Sequence, residues 1–377
     1  MIVYVVSFLA VLSLVIFVHE FGHFQVARWL KIRADAFALG FGKELWGRTD
    51  RRGTRWKLGA IPLGGYVRFA EELPKEGLAP GESLFAKASL WRRSAVVAAG
   101  PLANFVFSSL AFALIFAVAG KNILAPVIGE VSPNMPAAAA GFQPGDRIIR
   151  AAGKGVESFD DFRRIVLSRG GETFQVEVLR SGLEETLTVS PASTSIENEF
   201  GGRQVGGRLG LQASGKVERL RYNPLQAVGE GVKFTGFICS ETIRYITAIF
   251  RGEAPSKHIG GPLSIGKASG DAAKMGFEAG EGGLISKIGQ SATALFFLAA
   301  VLSVSVGLFN LAPIPVLDGG HLLFFAVEGL SGKEPSARLR EVGYGLGLAA
   351  LMCLMVFAFW NDLGNLGLLK FLGGIFS

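Results

Sequence analysis

Two of the chain's four histidines lie four residues apart, in the pentapeptide His-Glu-Phe-Gly-His at positions 19–23. Residues at this spacing share one face of a helix, so the imidazoles of His19 and His23 can reach a single zinc ion. Glu20 lies beside them and can accept a proton from an attacking water molecule, as a general base does. The pattern predicts the metal site of a zinc-dependent hydrolase.

A catalytic zinc needs a third protein ligand and one open coordination position. Asp318 is the predicted third ligand, because a carboxylate at the end of a long apolar segment is costly unless a cation is near it. His321, three residues further on, is the rival, and both side chains would face the same way if this turn were helical. The intervening Gly319 and Gly320 make a regular helix doubtful here, so spacing alone leaves both ligands open.

These residues belong to a chain that is rich in long apolar segments. Half of its 377 residues are hydrophobic and only 18% are charged, which indicates a polytopic membrane protein. The first segment lacks the basic start and the small-residue cleavage site of a signal peptide, so we predict a retained helix. Four segments are long enough to cross a bilayer as helices: residues 1–29, 94–119, 292–320 and 342–360.

The loop between the first two spans, residues 30–93, indicates how the chain is oriented. From Arg28 to Arg93 there are 14 Lys and Arg residues against 7 Asp and Glu residues. Basic loops remain in the cytoplasm, so the region after the second span is predicted to be extracytoplasmic. The metal site then lies near the cytoplasmic side. The net charge of +7 is a topology signal, and we predict no nucleic-acid partner.

Part of this basic loop, residues 34–70, is apolar and rich in Phe and Gly. Apolar side chains alternate over residues 56–60, and Gly64 and Gly65 interrupt the pattern further on. The pattern predicts a β-hairpin that re-enters the membrane from the cytoplasmic side. Backbone at that depth is tolerated only where it is paired or lines a cavity.

Residues 122–215 have the pattern of a small α+β domain, with short strands separated by Gly and Pro turns. Ser158 and Asp161 have the spacing of a capping box, which predicts a helix over about 159–168. The stretch Ala-Gly-Phe-Gln-Pro-Gly-Asp at 140–146 is similar to a turn of PDZ domains, which bind extended segments by strand addition. A small β-domain without a ligand is the alternative.

The segment that follows, residues 223–290, is helical in pattern but is broken by Gly and Pro at 260–262. Arg244 and Arg251 lie at the edge of an apolar face in its first half. This arrangement predicts an interfacial helix on the extracytoplasmic surface of the membrane. A buried core helix is the alternative.

The motifs together resemble the site-2 protease family of intramembrane zinc metalloproteases, of the RseP type. They are the pentapeptide at 19–23, Ala-Gly-Pro-Leu-Ala-Asn-Phe at 99–105, the PDZ-like region, and Asn-Leu-Ala-Pro-Ile-Pro-Val-Leu-Asp-Gly-Gly at 310–320. The resemblance covers nearly the whole chain in order. One departure is that the RseP type has two tandem PDZ domains, whereas this chain has room for one. The resemblance implies zinc bound by His19, His23 and Asp318, with Glu20 as general base and Asn310 binding substrate.

The predicted fold is a polytopic α-helical membrane protein with four transmembrane helices, an inserted PDZ-like α+β domain and a membrane-associated β-hairpin. The resemblance implies a bacterial inner-membrane metalloendopeptidase that acts in regulated intramembrane proteolysis. Its substrates would be single-pass proteins in the lipid bilayer, of the anti-sigma-factor or remnant-signal-peptide type. A non-catalytic PDZ-bearing membrane scaffold is the alternative to an enzyme. For Asn310 and Asn104, the alternative role is hydrogen bonding between helices.

Overall fold

The computed structural model of the chain describes residues 1–70, 78, 81–197, 203–255, 260–280 and 282–365. Its contacts divide the chain into two compact units. The first is formed by Met1–Ile115, Leu225–Thr242 and Lys257–Ser377, and the second by Phe116–Pro224 and Ile243–Ser256. The residues predicted to form the metal site all belong to the first unit.

Helices make up most of the first unit. The helices of the described residues, in chain order and counted over both units, are α1 (Ile2–Trp29), α2 (Leu90–Val118), α3 (Pro136–Ala139), α4 (Phe159–Leu167), α5 (Pro224–Phe250), α6 (Pro262–Ala279), α7 (Leu284–Asn310), α8 (Asp318–Ser331) and α9 (Ala337–Asn365). Helices α3 and α4 belong to the second unit. A short 3-10 helix, Phe85–Lys87, precedes α2. Four of the described helices, α1, α2, α7 and α9, are long and apolar enough to cross a membrane.

The third predicted span, 292–320, is divided between two helices. Helix α7 ends at Asn310, and a new helix, α8, begins at Asp318. The two prolines between them, Pro313 and Pro315, remove backbone N–H donors and clash with the preceding turn of a helix, so α7 cannot continue through them. The chain therefore turns before Asp318, and this carboxylate lies in the first turn of a helix rather than at the end of one.

The first turn of α8 is regular, contrary to the doubt that its paired glycines raised. Gly319 and Gly320 are both buried against the preceding turn. A Cβ at Gly319 would overlap the carbonyl oxygens of Leu311 and Ala312, so the close contact requires glycine. The glycines thus allow α8 to begin directly beside the end of α7.

Helices α5 and α6 occupy most of region 223–290, and α6 packs against α1 and α7. The start of α6 is capped from a distant part of the chain. Asp362 on α9 is fully buried and accepts hydrogen bonds from the backbone N–H groups of Gly261 and Leu263, at 2.8 and 2.9 Å. The first N–H groups of a helix have no partner within it, so this carboxylate satisfies them and joins α9 to α6. An interfacial position for the region stays a prediction.

The apolar part of the first loop forms two long antiparallel strands, β1 (Ala34–Thr49) and β2 (Arg55–Phe69). Their pairing is more elaborate than that of a simple hairpin. Residues 36–39 lie opposite both 65–68 and 55–58, and residues 44–49 lie opposite 55–59. Both strands therefore fold back on themselves. Gly40, with φ of +85°, lies where β1 bends, and a Cβ there would come within 2.8 Å of a β2 carbonyl oxygen.

This strand pair is attached to α1 by aromatic packing and by one carboxylate. Phe24 on α1 is fully buried, and its ring centroid lies 5.3 Å from that of Phe37 and 5.1 Å from that of Trp56. Asp50, in the turn between the strands, accepts hydrogen bonds from Arg28 of α1 at 2.5 Å and from Trp56 Nε1 at 3.2 Å. The turn is thus held against the last part of the first helix.

The second unit is built mainly of short strands around one apolar core. Its strands are β3 (Lys121–Leu124), β4 (Ile128–Val131), β5 (Arg147–Ala151), β6 (Lys154–Gly155), β7 (Phe174–Arg180), β8 (Leu183–Val189), β9 (Ala192–Glu197), β10 (Arg203–Arg208), β11 (Leu211–Ala213) and β12 (Val217–Leu220). Four of them form a sheet in the order β6-β5-β7-β8, and the others pair as β3-β12, β4-β11 and β9-β10.

The predicted helix of this unit is confirmed as α4, Phe159–Leu167. Ser158 and Asp161 form the expected capping box: Ser158 Oγ accepts from the Asp161 backbone N–H at 3.1 Å, and the Asp161 carboxylate accepts from the Ser158 N–H at 3.0 Å. The turn at 140–146 is held by an ion pair. Asp146, at the end of this turn, is 1% exposed, and its Oδ1 accepts a hydrogen bond from Arg180 Nε at 2.7 Å.

Candidate metal centre

The two histidines lie on the buried face of α1. Every fourth residue from Ser7 to Ala27 is buried, and His19 and His23 are the fourth and fifth members of this stripe. Their side chains are about one-tenth exposed, and the ring centroids lie 4.8 Å apart. The i, i+4 spacing thus places both imidazoles side by side, as predicted from the sequence.

Helix α8 brings Asp318 to the same place. Asp318 Oδ2 lies 3.1 Å from His19 Nε2 and 3.4 Å from His23 Nε2, and the two Nε2 atoms are 3.2 Å apart. Among the described residues, these three side chains form the group able to hold a metal ion, with their ligand atoms within 4.8 Å of one another. The structure therefore joins residues separated by almost 300 positions in the sequence.

The chemistry of this donor set fits zinc. His23 Nδ1 lies 2.8 Å from the Val96 carbonyl oxygen, which can only accept, so Nδ1 carries the proton and Nε2 presents a lone pair. Asp318 Oδ2 is buried and, among the described residues, has no hydrogen-bond partner. Lone pairs that face one another this closely repel unless a cation lies between them. Ligands at zinc-bond lengths in a tetrahedron are separated by about 3.3–3.4 Å, close to the observed spacings.

Glu20 is half-buried next to the histidines and lies against strand β2. Its carboxyl group lies near the backbone of Val67. A Cβ at Gly65 would lie 3.2 Å from Glu20 Cγ, so the strand passes close to the side chain. The predicted general base is therefore beside the predicted metal ligands and also in contact with the strand pair.

Two other predicted residues, His321 and Asn310, are not part of this group of three side chains. His321 Nδ1 is 3.4 Å from Tyr344 Oη, and this side chain is absent from the group of possible ligands in the described chain. Asn310, the last residue of α7, donates from Nδ2 to the Val306 carbonyl oxygen of its own helix at 3.1 Å. His258, which the predicted topology places on the extracytoplasmic side, lies outside the described residues.

Helix α2 supplies two residues that sequence reasoning did not assign to the centre. A Cβ at Gly100 would lie 2.5 Å from His23 Cε1 and 2.9 Å from His19 Cε1, so only glycine leaves room for both rings. Asn104, one turn later, is fully buried with Nδ2 3.2 Å from His19 Nδ1. In the sequence, these positions could have been recognised as a glycine and an amide inside an uncharged span. Both residue types are unfavourable there unless a neighbouring side chain requires the space or the hydrogen bond.

Replacing Gly100 by alanine is expected to abolish zinc binding, because the added methyl group would take the space of the His23 imidazole. The measurement is zinc content per purified chain. Gly345→Ala, on α9, is the matched control, since a Cβ there meets nothing within 4 Å and zinc content should be unchanged. Full zinc content in Gly100→Ala would contradict the close packing of α2 on the histidine pair.

The fold and the site are those of a membrane metallopeptidase: helices of membrane-spanning length carry a His-Glu-x-x-His sequence beside an aspartate. The chain belongs to peptidase family M50, whose model matches residues 7–354. It is 43% identical to a protein of Agrobacterium fabrum and 41% identical to one of Rhizobium meliloti, both named as zinc metalloproteases. These matches cover 96% and 95% of both chains, respectively.

A third relative, metalloprotease MmpA of Caulobacter vibrioides, is 35% identical over 99% of this chain and 98% of its own. Family and relatives together identify a zinc metalloprotease, which sets aside the alternative of a non-catalytic scaffold.

Among solved structures, a PDZ domain of an SdrC-like protein from Listeria innocua is 17% identical to this chain. The match covers 24% of this chain and 92% of the PDZ domain, with a TM-score of 0.19. The HtrA-type protease AlgW is 28% identical over 17% of this chain and 20% of its own, with a TM-score of 0.16.

Proposed function

We propose that the protein is an intramembrane metalloendopeptidase that hydrolyses peptide bonds within the transmembrane segments of single-pass membrane proteins. One observation carries the proposal: the two histidines of the candidate centre lie within a helix of membrane-spanning length. His19 is ten residues from Trp29, the end of α1, or about 15 Å along the helix. The hydrocarbon core of a bilayer is about 30 Å thick, so a substrate must be cut within the membrane.

In this proposal His19, His23 and Asp318 hold zinc, and Glu20 is the general base. Zinc, when bound, polarises the scissile carbonyl and makes an attacking water more acidic. Glu20 accepts the proton of that water and passes it to the leaving amine as the peptide bond breaks. Burial of the histidines and of Asp318 keeps the ligands in one geometry between turnovers.

Substrate engagement is assigned to the strand pair and to Asn310. A helical substrate hides its carbonyl groups in its own hydrogen bonds, so it must unwind before it is cut, and its freed backbone groups need partners in the membrane. Strands β1 and β2 can supply them by strand addition, next to Glu20. The Asn310 side chain uses Nδ2 within α7, which leaves its carbonyl oxygen to meet a substrate N–H group.

The expected outcome with a single-pass substrate is a cut inside its apolar segment. Purified protein in proteoliposomes would be incubated with proteins of the anti-sigma-factor and remnant-signal-peptide types, and product ends would be mapped by mass spectrometry. Zinc chelation should stop the reaction, and the soluble domain of the same substrate alone should stay intact. Cuts confined to soluble parts of the substrate would contradict cleavage within the membrane.

We further propose a bacterial inner-membrane location, with the centre near the cytoplasmic side and the PDZ-like unit extracytoplasmic. The basic loop 30–93 supports this orientation through the positive-inside rule. The PDZ-like unit would then meet the extracytoplasmic part of a substrate, while residues of the first unit cut within the bilayer.

Single cysteines are expected to report this orientation in intact cells. Arg52→Cys should resist an impermeant thiol reagent, and Ser181→Cys should react, because both positions are exposed but are predicted on opposite sides of the membrane. The native Cys239 and Cys353 are first replaced by alanine, since neither forms a disulfide. Permeabilised cells, in which both introduced cysteines should react, are the control. The opposite labelling pattern would reverse the proposed topology.

A further inference from the structure

Asn104 is held rigidly beside the candidate centre. It is fully buried, and its backbone carbonyl oxygen accepts hydrogen bonds from Ser108 Oγ at 2.8 Å and from Ser303 Oγ of α7 at 3.2 Å. Its side chain ends 3.2 Å from His19 Nδ1, the ring nitrogen that faces away from Asp318. Asn104 is therefore placed to decide which nitrogen of His19 carries the proton.

The two imidazoles have different partners at Nδ1. For His23 the partner is the Val96 carbonyl oxygen, and it fixes the proton on Nδ1. For His19 the partner is the Asn104 amide, which can present either an NH2 donor or an oxygen acceptor. In the structure Nδ2 faces His19. With this orientation the His19 proton would lie on Nε2, which would then have no lone pair for a metal ion.

The opposite amide orientation is open to this side chain. Asn104 Oδ1 is buried and has no hydrogen-bond partner among the described residues. Rotating the amide by 180° therefore breaks no bond of the oxygen and brings it to His19 Nδ1. Amide oxygen and nitrogen have nearly the same shape, so their assignment follows from the hydrogen bonds they make. Metal-binding histidines generally donate their second ring N–H to a carbonyl or carboxylate.

We propose that Asn104 is a positioning residue for zinc: its Oδ1 accepts the Nδ1–H of His19 and so directs the Nε2 lone pair of His19 toward Asp318. The proposal rests on the zinc ligands proposed above. It gives the amide of the second span a role distinct from hydrogen bonding between helices. The Val96 carbonyl and the Asn104 amide, both on α2, then each accept the Nδ1 proton of one histidine and leave its Nε2 free to bind zinc.

The test is zinc affinity, measured on purified full-length protein by competition with a chelator. Asn104→Ala is expected to weaken zinc binding by about 10–100-fold, the usual effect of losing such a partner. Asn104→Asp is expected to stay within a few-fold of the wild type, because a carboxylate can only accept. Ser109→Ala is the matched control, since Ser109 on the same helix bonds to Thr235 Oγ1 at 3.1 Å and is expected to leave affinity unchanged.

The possible results separate this proposal from the assignment of the ligands. Wild-type affinity in Asn104→Ala, or equal weakening in Asn104→Asp and Asn104→Ala, would overturn the role of Asn104 and leave the ligands standing. If zinc binding were weakened as much in Ser109→Ala as in Asn104→Ala, the effect would be one of helix packing, and the role of Asn104 would also be overturned. Absence of zinc from the wild type would instead remove the proposed ligand set.

A second measurement covers the case in which the aspartate variant does not fold. Nitrogen-15 NMR of labelled histidine in the zinc-loaded wild type should show a proton on His19 Nδ1 that exchanges slowly, because the Asn104 oxygen holds it. In Asn104→Ala this proton should exchange faster, while that of His23, bonded to Val96, keeps its rate. A His19 Nδ1 without a proton in the wild type would contradict the proposal directly.

Discussion

Glu20→Gln is expected to keep bound zinc and to lose proteolysis by about 10²–10⁴-fold, the usual contribution of a general base. Glutamine preserves the size of the side chain and its place against Val67, but it cannot take a proton from water. The measurements are zinc content per chain and the initial rate of cleavage of a single-pass substrate in proteoliposomes. Both are made on the same preparation, so that loss of metal and loss of the base are told apart.

A glutamate outside the first unit provides the control for this substitution. Glu177 lies on β7, where it pairs with Arg150 at 3.9 Å on the surface, and Glu177→Gln should retain both zinc and activity. Cleavage within tenfold of the wild type by a zinc-loaded Glu20→Gln protein would refute the assignment of the base. Loss of zinc from Glu20→Gln would mean that Glu20 is needed for zinc binding rather than for taking a proton from the attacking water.

Asp318→Ala is expected to lose zinc and activity together. Asp318 is the one negatively charged member of the proposed set, and without it two neutral imidazoles remain to hold a divalent cation. Its Oδ2 lies within 3.4 Å of the Nε2 atoms of both histidines, so no other part of α8 replaces it without a shift of the helix. Zinc is measured by elemental analysis after chelator-free purification, and cleavage is measured on the same sample.

His321→Ala is the informative comparison, because the sequence left His321 open as the third ligand. In the structure its Nδ1 lies near Tyr344 Oη, and we expect His321→Ala to keep zinc with a mild effect on rate. Full zinc in Asp318→Ala with loss in His321→Ala would exchange the two roles.

Sequence reasoning went furthest where one local spacing decides the geometry. The i, i+4 histidines of α1 and the capping box of α4 depend on helix periodicity alone, and both lie as expected. Four apolar segments were recognised from length and hydropathy, and each overlaps a helix long enough to span a membrane. The approach of Asp318 to the histidines followed from a charge argument rather than from spacing.

What the sequence did not predict depends on contacts between distant segments. The end of α7 at Asn310 follows from the two prolines, but the immediate start of α8 depends on glycines packed against carbonyl oxygens of the preceding turn. The double pairing of residues 36–39 requires bends that alternation of apolar residues does not reveal. Gly100 became meaningful only when the imidazoles beside it were located.

The long separation of the proposed ligands along the chain has a consequence during synthesis. His23 is followed by 294 residues before Asp318 is added. At about 5–20 residues per second, a ribosome needs roughly 15–60 s to make this stretch. For that interval the first span holds two imidazoles and Glu20 without the carboxylate that completes the set. A nascent chain therefore has no finished hydrolytic centre while its second and third spans are made, and these helices are not exposed to an active centre of their own chain.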